Sequence, residues 1–547
     1  MSAGRVRALI IGAPDRADAW RTLGRSAGAG GDLPLLIVLL RRSRRLDPNS
    51  AEACYDIGVA LRGLQVRAGA VRALTAALIL APANAGTAEA LGLCLLESGR
   101  PDRAAPALSM ALRCGAATAR VLMWLARAWS GQDRRERAAP ARRAAIALDP
   151  GHATSLREAA AESWQGGSMA MAARLLRRTA AVEGRPSPAL ASAAVVQAAD
   201  WCASEGLRYE RILPPRRCEI GAATHGPECA QDLPEAYLAT IDDAVVLAPP
   251  FVVLARGRAL ILDGLTPYSR ESLLRGEQIL YGRADGRALV QHAQHALDLD
   301  EAVLFGGDAN FSHGLLDWMS RLLVLDRRTE LANLPVLASC SLPPSVLEAA
   351  RLFGLSGERM IFADAAAIRC GRLHAPSLTH ELRTMAPEFL EYFRVRLDLP
   401  RRPPGRGRRL YLTRGAHGHR LIVNEDEIVA ALRPLGVEVF VPHGLTFARQ
   451  LDVLADAALV VVPNGGGSAA VALAPMGAGV VELMHRYNVT QRYRRVAAML
   501  DQPYRQIVGQ PVRNRGRLQF DWDFRLDPDL VARFAREVLD EAGQGGG

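Results

Sequence analysis

The stretch RRLYLTRGAHGHRLIVNEDEIVAALRPLGVEVFVPHGLTFARQLDVLADAALVVVPNGGGSAAVALAPMGAGVVELMHRYN, residues Arg408 to Asn488, decides the fold of the carboxyl half of the chain. Short β-rich runs alternate in it with helical patterns of about ten residues, the signature of βα units and a parallel sheet. The runs predict strands at Leu410–Thr413, Val437–Val441, Leu459–Val462 and Val480–Leu483. Helices are expected over Glu425–Arg433, Phe447–Ala455 and Ser468–Ala474, with Asn424 and Glu427 spaced as a capping box. Polar residues gather at the strand ends: Arg414, His443, Asn464 with Gly465, Gly466, Gly467 and Ser468, then Glu482 and His485. Ligands bind outside the carboxyl ends of strands in open α/β sheets. A glycine loop lets backbone N–H groups approach an anion, and an arginine beside it clamps phosphate through two parallel hydrogen bonds. This pattern reads as a nucleotide or sugar-nucleotide pocket. A tight turn with a solvated arginine is the plainer alternative. The spacing Gly465-x-Gly467-x-x-Ala470 with Glu482 also loosely fits a dinucleotide fingerprint, but it falls on the third βα unit rather than the first.

Several blocks together resemble a known family. They are Tyr411-x-Thr413-Arg414, Asn424-Glu425-Asp426-Glu427, Pro434-Leu435-Gly436, Phe447-x-x-Gln450, the glycine loop and Val481-Glu482-Leu483, with Asn310-Phe311-Ser312-His313-Gly314-Leu315-Leu316-Asp317-Trp318 upstream. The set, spanning about Leu233 to Tyr504, resembles the glycosyltransferases of family 61, the capsular polysaccharide biosynthesis type. Where that family carries a His-Gly-Ala-Gly-Leu-Thr-Asn loop, this chain has Asn464-Gly465-Gly466-Gly467-Ser468-Ala469-Ala470. The resemblance implies a GT-B-like two-lobed transferase and inverting transfer from a nucleotide sugar, a UDP-sugar by expectation, to a glycan acceptor in surface polysaccharide biosynthesis. Inversion needs a base for the acceptor hydroxyl and positive groups for the departing nucleotide. Asp317 is the candidate base with His313, four residues earlier, as its orienting partner or substitute. Arg414, Asn464, Gly465, Gly466, Gly467 and Ser468 are expected to hold the donor's phosphates, and Glu482 a ribose or sugar hydroxyl. No metal is expected to be required: the Asp298/Asp300 and Asp521/Asp523 pairs sit in no matching block.

The amino-terminal third reads differently. Aligned on Gly24, Gly58, Gly92, Ala126 and Ala160, residues 15–186 repeat every 34 residues; Leu36, Ala70, Ala104, Ala138 and Ala172 follow twelve on. Ser43, Ala77, Ala111, Ala145 and Thr179 come next, then Pro48, Pro82 and Pro150. Small residues there let paired helices approach and the prolines end each pair. The pattern resembles the tetratricopeptide repeat in about five copies, a solenoid able to hold a protein partner. Residues 187–233 are expected as linker, 234–400 as a first α/β lobe on the acceptor side, 408–510 as the nucleotide-sugar lobe and 511–547 as a carboxyl-terminal extension. Arg401–Gly407 is the expected hinge between the lobes.

Composition narrows the chemistry. The 547 residues carry a net charge of +10, and all 67 basic residues are arginine. The lack of lysine excludes Schiff-base chemistry and a P-loop lysine. The arginines are interleaved with Ala and Leu and no nucleic-acid module is present, so the charge points to phosphorylated donors or anionic membrane surfaces. Eight scattered cysteines without a C-x-x-C suit free thiols in a reducing compartment. No apolar run approaches a membrane span. A cytoplasmic protein is expected, with room for a peripheral place on the inner membrane. Two further readings stay open: O-glycosylation of a protein or peptide held by the repeats, and a non-catalytic interaction protein with a decayed transferase.

Overall fold

The computed structural model describes residues 14–29, 32–220, 230–268, 273, 279–292, 296–326, 328–362, 367–401, 407–415, 420–512 and 521–544. The chain divides into two compact units, Met1–Ser187 and Pro188–Gly547.

The first unit is all helical: α1 Ala17–Ala29, α2 Leu33–Leu46, α3 Ala51–Gly63, α4 Arg67–Leu80, α5 Ala85–Glu97, α6 Pro101–Arg113, α7 Ala119–Ser130, α8 Arg135–Leu148, α9 Ala153–Gln165 and α10 Met169–Val182. Consecutive helices pack as hairpins and each hairpin packs on the next. The 34-residue register explains why. Ala70, Ala104 and Ala172 are fully buried, as are Ala77, Ala111 and Ala145. A Cβ on Gly92 would lie 2.5 Å from Leu108 of the partner helix, so the helices touch through the glycine. A second periodicity marks the starts: Ser50, Asn84, Thr118 and His152, 34 residues apart, each accept from the backbone N–H three residues on, at 3.1, 2.9, 3.2 and 3.3 Å. Each cap satisfies an N–H that the helix cannot, worth about 1 kcal/mol. Nearest-neighbour packing of this kind needs nothing from the second unit. A fragment of residues 1–187 is therefore expected to be helical and to melt cooperatively by circular dichroism; an unfolded fragment would contradict the division.

Among its described residues the second unit holds two large sheets and a two-stranded antiparallel pair, Arg216–Cys218 with Gln231–Leu233. Its strands are β1 Ala189–Val196, β2 Tyr209–Leu213, β3 Arg216–Cys218, β4 Gln231–Leu233, β5 Ala236–Leu247, β6 Val252–Ala255, β7 Ala259–Ile261, β8 Ile279–Gly282, β9 Arg287–His292, β10 Ala296–Gly306, β11 Val336–Ala338, β12 Met360–Phe362 and β13 Ala367–Pro376 in the first part. β14 Arg408–Leu412, β15 Glu438–Phe440, β16 Ala457–Pro463, β17 Gly479–His485, β18 Tyr504–Val512 and β19 Asp523–Arg525 follow. The first sheet has eleven strands in the order β12-β11-β10-β13-β5-β6-β7-β1-β9-β8, with β2 branching from β5. β10, β11, β12 and β13 are mutually parallel, and from β5 onward the pairing is antiparallel except for the parallel pair β7-β1. The span expected as linker, 187–233, instead contributes β1, β2 and the helix Ala198–Glu205 to this lobe. Its alanine-rich strand ALASAAVV has β-branched residues only at Val195 and Val196, a weak strand signal in sequence. The expected hinge lies mostly outside the described residues, at 402–406.

The second sheet runs β15-β14-β16-β17-β18-β19, parallel through β18 and antiparallel at β19. Its strands read as unbroken apolar runs because both faces are covered. Leu410, Leu412, Val460 and Val462 face a core shared with the first lobe, while Tyr411, Leu459 and Val461 face Ile428, Val531, Ala535 and Val538. Residues 528–544, expected as an extension, thus form a helix that closes this sheet. The Asn424 capping box does not form: its side chain exchanges hydrogen bonds with the backbone of Leu526, at 2.9 and 3.2 Å, and pins the carboxyl-terminal segment instead.

Candidate active site

Chain order in the second sheet sends β15 to one side of β14 and β16 to the other, which opens a crevice at their carboxyl ends. A cavity of about 670 Å³ occupies it, lined by Thr413, Arg414, His443, Gly466 and Gly467 among others. Ala309, Phe311, Ser345 and Glu348 of the first lobe form the opposite wall. The cavity lies within the second unit, between its two sheets. Its volume is in the range of small-molecule sites.

Glu482 holds the glycine loop in shape. It is fully buried on β17 and accepts from Asn464 Nδ2 at 2.9 Å, Ser468 Oγ at 3.2 Å and Tyr504 Oη at 2.6 Å. Burial pushes its carboxyl above the ordinary range, against those three donors. The sequence suggested a sugar hydroxyl as the partner of Glu482; instead its carboxylate is taken up by three donors of the protein itself. Ser468 and Asn464 are engaged likewise. Ser468 also accepts from the Gly465 N–H at 3.2 Å, and Asn464 accepts from Asn488 at 3.3 Å. The helix beyond the loop is only Ala470–Leu473, preceded by a 3-10 turn over Gly466–Ala469, so it supplies little of a helix dipole.

Arg414 crosses the loop. Its Nη1 donates to the Asn464 carbonyl at 3.2 Å, and a Cβ on Gly465 would lie 2.9 Å from its Nη2. Gly465 has φ +151°, so only glycine suits both the conformation and the contact. Burial, then the neighbouring Arg420 charge, lowers the Arg414 guanidinium to about 10, against Asp523; it remains charged at neutral pH and is desolvated. Such a group favours an anion strongly.

The block that follows β10 meets this loop from the other lobe. Asn310 Oδ1 lies 3.7 Å from the position of a Cβ on Gly466. Residues His313–Asp317 form a π-helical turn, not the α-helix that would put positions four apart on one face. His313 and Asp317 accordingly have different partners. His313 Nδ1 sits 3.3 Å from Asp308 Oδ2, and its side chain keeps 21% of its surface exposed. Asp308 also accepts from Tyr268 Oη at 2.9 Å, Trp318 Nε1 at 3.1 Å and the Asn310 N–H at 2.8 Å. Burial would raise the Asp308 carboxyl, but His313, Trp318 and the Asn310 amide outweigh it and hold it low. An ionised Asp308 fixes the neutral His313 as the Nδ1–H tautomer, leaving Nε2 with its lone pair. Asp308 was not singled out from the sequence; its place just after a strand end, five residues before His313, was the available signal.

Asp317 is fully buried. Arg492 of the second lobe grips it with both arms, at 2.5 and 3.2 Å, and His380 Nε2 lies 3.3 Å away. Burial opposes its ionisation, yet Arg492 and then His380 keep its carboxyl below the ordinary value. Asp317 is thus a strut between lobes, with both oxygens committed and no open face for an acceptor hydroxyl. Ser312 Oγ and Tyr493 Oη make a second link beside it.

Among the described residues, no group of three or more metal-ligating side chains comes together, and no helix is long and apolar enough to cross a membrane.

The family Glycosyltransferase 61 matches residues 311–481. No curated protein matches the chain. Among solved structures, MamA from Desulfovibrio magneticus RS-1 is 23% identical, covering 31% of this chain and 95% of its own, with a TM-score of 0.30. YrrB, titled a TPR protein with an unusual peptide-binding site, is 17% identical over 34% of this chain and 94% of its own, with a TM-score of 0.31. The pilF protein of Pseudomonas aeruginosa is 19% identical over 33% and 82%, with a TM-score of 0.30. The repeat assignment rests on the 34-residue register and the helical hairpins themselves. Residues 311–481, which carry the glycine loop, Arg414 and the His313 turn, are a glycosyltransferase family 61 domain, and helical repeats of tetratricopeptide type precede it in the chain.

Proposed function

We propose that the chain transfers a sugar with inversion from a nucleotide sugar to a hydroxyl acceptor, with His313 as the base and Arg414 holding the donor's phosphate. The single observation that carries this reading is the pairing of Asp308 with His313 on a turn that adjoins the glycine loop and the Arg414 cavity. In it, His313 Nε2 takes the proton of the acceptor hydroxyl as that oxygen attacks the anomeric carbon. The bond from that carbon to the donor phosphate breaks, and the negative charge passes to the leaving nucleotide, where Arg414 and the amides of Gly466 and Gly467 meet it. Asp308 holds the ring in the basic tautomer and stabilises the imidazolium that forms. Gln450, Thr446 and His443 also line the cavity and suit the nucleoside. A UDP-sugar as donor, a surface glycan as acceptor and a cytoplasmic site of action complete the reading, with no metal required.

The test is nucleotide release from UDP-, GDP- and CMP-sugars by the full chain, with and without simple glycan acceptors. Turnover with one nucleotide class, stimulated by an acceptor, supports the proposal. No turnover with any donor, together with no thermal stabilisation by any, would favour the non-catalytic reading. Donor binding at a hundredfold excess over Kd should stabilise the fold by about 2.7 kcal/mol.

A further inference from the structure

Two buried donor groups near Arg414 have no acceptor. His485 ends β17, is 1% exposed, and its Nδ1 accepts from the Tyr487 N–H at 3.3 Å. Its neutral ring therefore carries the proton on Nε2, and that N–H is buried without a hydrogen-bond partner. The Arg420 Nε–H is also buried without a partner. The two residues are brought together by one strand. Leu421 N–H donates to Asp523 Oδ1 at 2.7 Å and Ile422 bridges to Phe524, while the Phe524 ring packs edge-on against His485 with centroids 5.6 Å apart. The Arg414 guanidinium lies on the same strand-end surface, tied to Asn464, whose N–H in turn donates to Leu483 of β17. Burial and then the Arg420 charge lower the His485 imidazole, against Asp523 and Asp521, so the ring is neutral and acts as a plain donor. Burial likewise lowers the Arg420 guanidinium, with Asp521 opposing.

Buried polar groups in native proteins are nearly always satisfied, and two orphan donors of one polarity at one place call for an acceptor from outside the chain. We propose that Arg420 and His485 form an anion subsite next to Arg414, which takes a phosphate of the donor nucleotide. The subsite rests on the nucleotide-sugar reading for its occupant. It gives the leaving group two donors besides Arg414, and it places them on β17 and on the segment over β19 rather than on the glycine loop, whose side chains serve the loop's own shape.

The experiment uses the full chain and three probes in calorimetry: inorganic pyrophosphate, a nucleoside diphosphate and the matching nucleoside. The variants are Arg420→Met and His485→Phe, with melting temperatures recorded in the absence of any anion. The subsite predicts at least tenfold weaker binding of pyrophosphate and of the diphosphate by each variant. It also predicts unchanged nucleoside binding, and anion-free melting temperatures equal to or above the parent's, because each substitution removes an unsatisfied donor. Variants that bind pyrophosphate as the parent does would overturn the subsite, as would variants that melt lower while keeping full affinity, since both residues would then be structural. Pyrophosphate binding that the variants lose, alongside a parent that binds no nucleotide, would uphold the anion subsite while rejecting its assignment to a nucleotide donor.

Discussion

His313→Ala should lower turnover by about 10²–10⁴-fold while leaving donor affinity within a factor of two, the loss expected when a positioned base is removed. The expectation follows from the partners of the ring. Asp308 takes the Nδ1 side, so the other nitrogen is the one free to accept a proton. Asp308→Asn should lower turnover too, because the amide can donate toward Nδ1 and favour the wrong tautomer. Its loss should be smaller in acceptor KM than in kcat, since Asp308 does not reach the acceptor itself. Steady-state kinetics at saturating donor and acceptor check both. Turnover of His313→Ala within threefold of the parent would remove His313 from the chemistry.

Asp317→Asn is expected to act on stability rather than on chemistry. Removing one partner of a buried ion pair leaves an uncompensated charge, here Arg492, and costs about 3–5 kcal/mol. Arg492 is 4% exposed and has no other carboxylate partner among the described residues. The double variant Asp317→Leu with Arg492→Met should recover much of that loss, because the charge and its penalty leave together. The effect has a direction in pH. The folded carboxyl is held below its ordinary value, so the pair's contribution is present above the ordinary carboxylate pKa and is lost as pH falls through the lowered one. Denaturation of parent and Asp317→Asn should therefore differ at neutral pH and converge in acid. An Asp317→Asn protein of parental stability with abolished turnover would restore Asp317 as the base.

The second sheet was largely legible from Arg408–Asn488. A parallel strand covered on both faces must be a continuous apolar run, and such runs at Leu459–Val462 and Val480–Leu483 fall inside β16 and β17. The repeats were legible for a related reason, since close helix contact admits only small residues at Gly58, Gly92, Ala70 and Ala104. The antiparallel region of the first lobe was not. Its strand β1, ALASAAVV, is half alanine, and it pairs with strands 60 or more residues away, which no local pattern records.

Within the site, residue types were easier to read than their duties. Asp317 and Glu482 look catalytic or ligand-binding in sequence because carboxylates near glycine loops often are. Burial turns both inward, one onto Arg492 and the other onto Asn464, Ser468 and Tyr504. The π-helical turn is what separates His313 from Asp317. Spacing rules assume 3.6 residues per turn, so a local widening was invisible to them.

The central claim is that the Arg414 cavity holds a nucleotide sugar. Isothermal calorimetry on the full chain, with the nucleotide sugar selected by the turnover panel, tests it most directly when parent and Arg414→Ala are compared. Loss of a charge-assisted hydrogen bond should cost about 1.5–3 kcal/mol, or roughly 10- to 150-fold in Kd, with the melting temperature of the unliganded protein little changed. Equal affinity in Arg414→Ala and parent, or no binding of any nucleotide sugar by the parent at millimolar concentration, would contradict it.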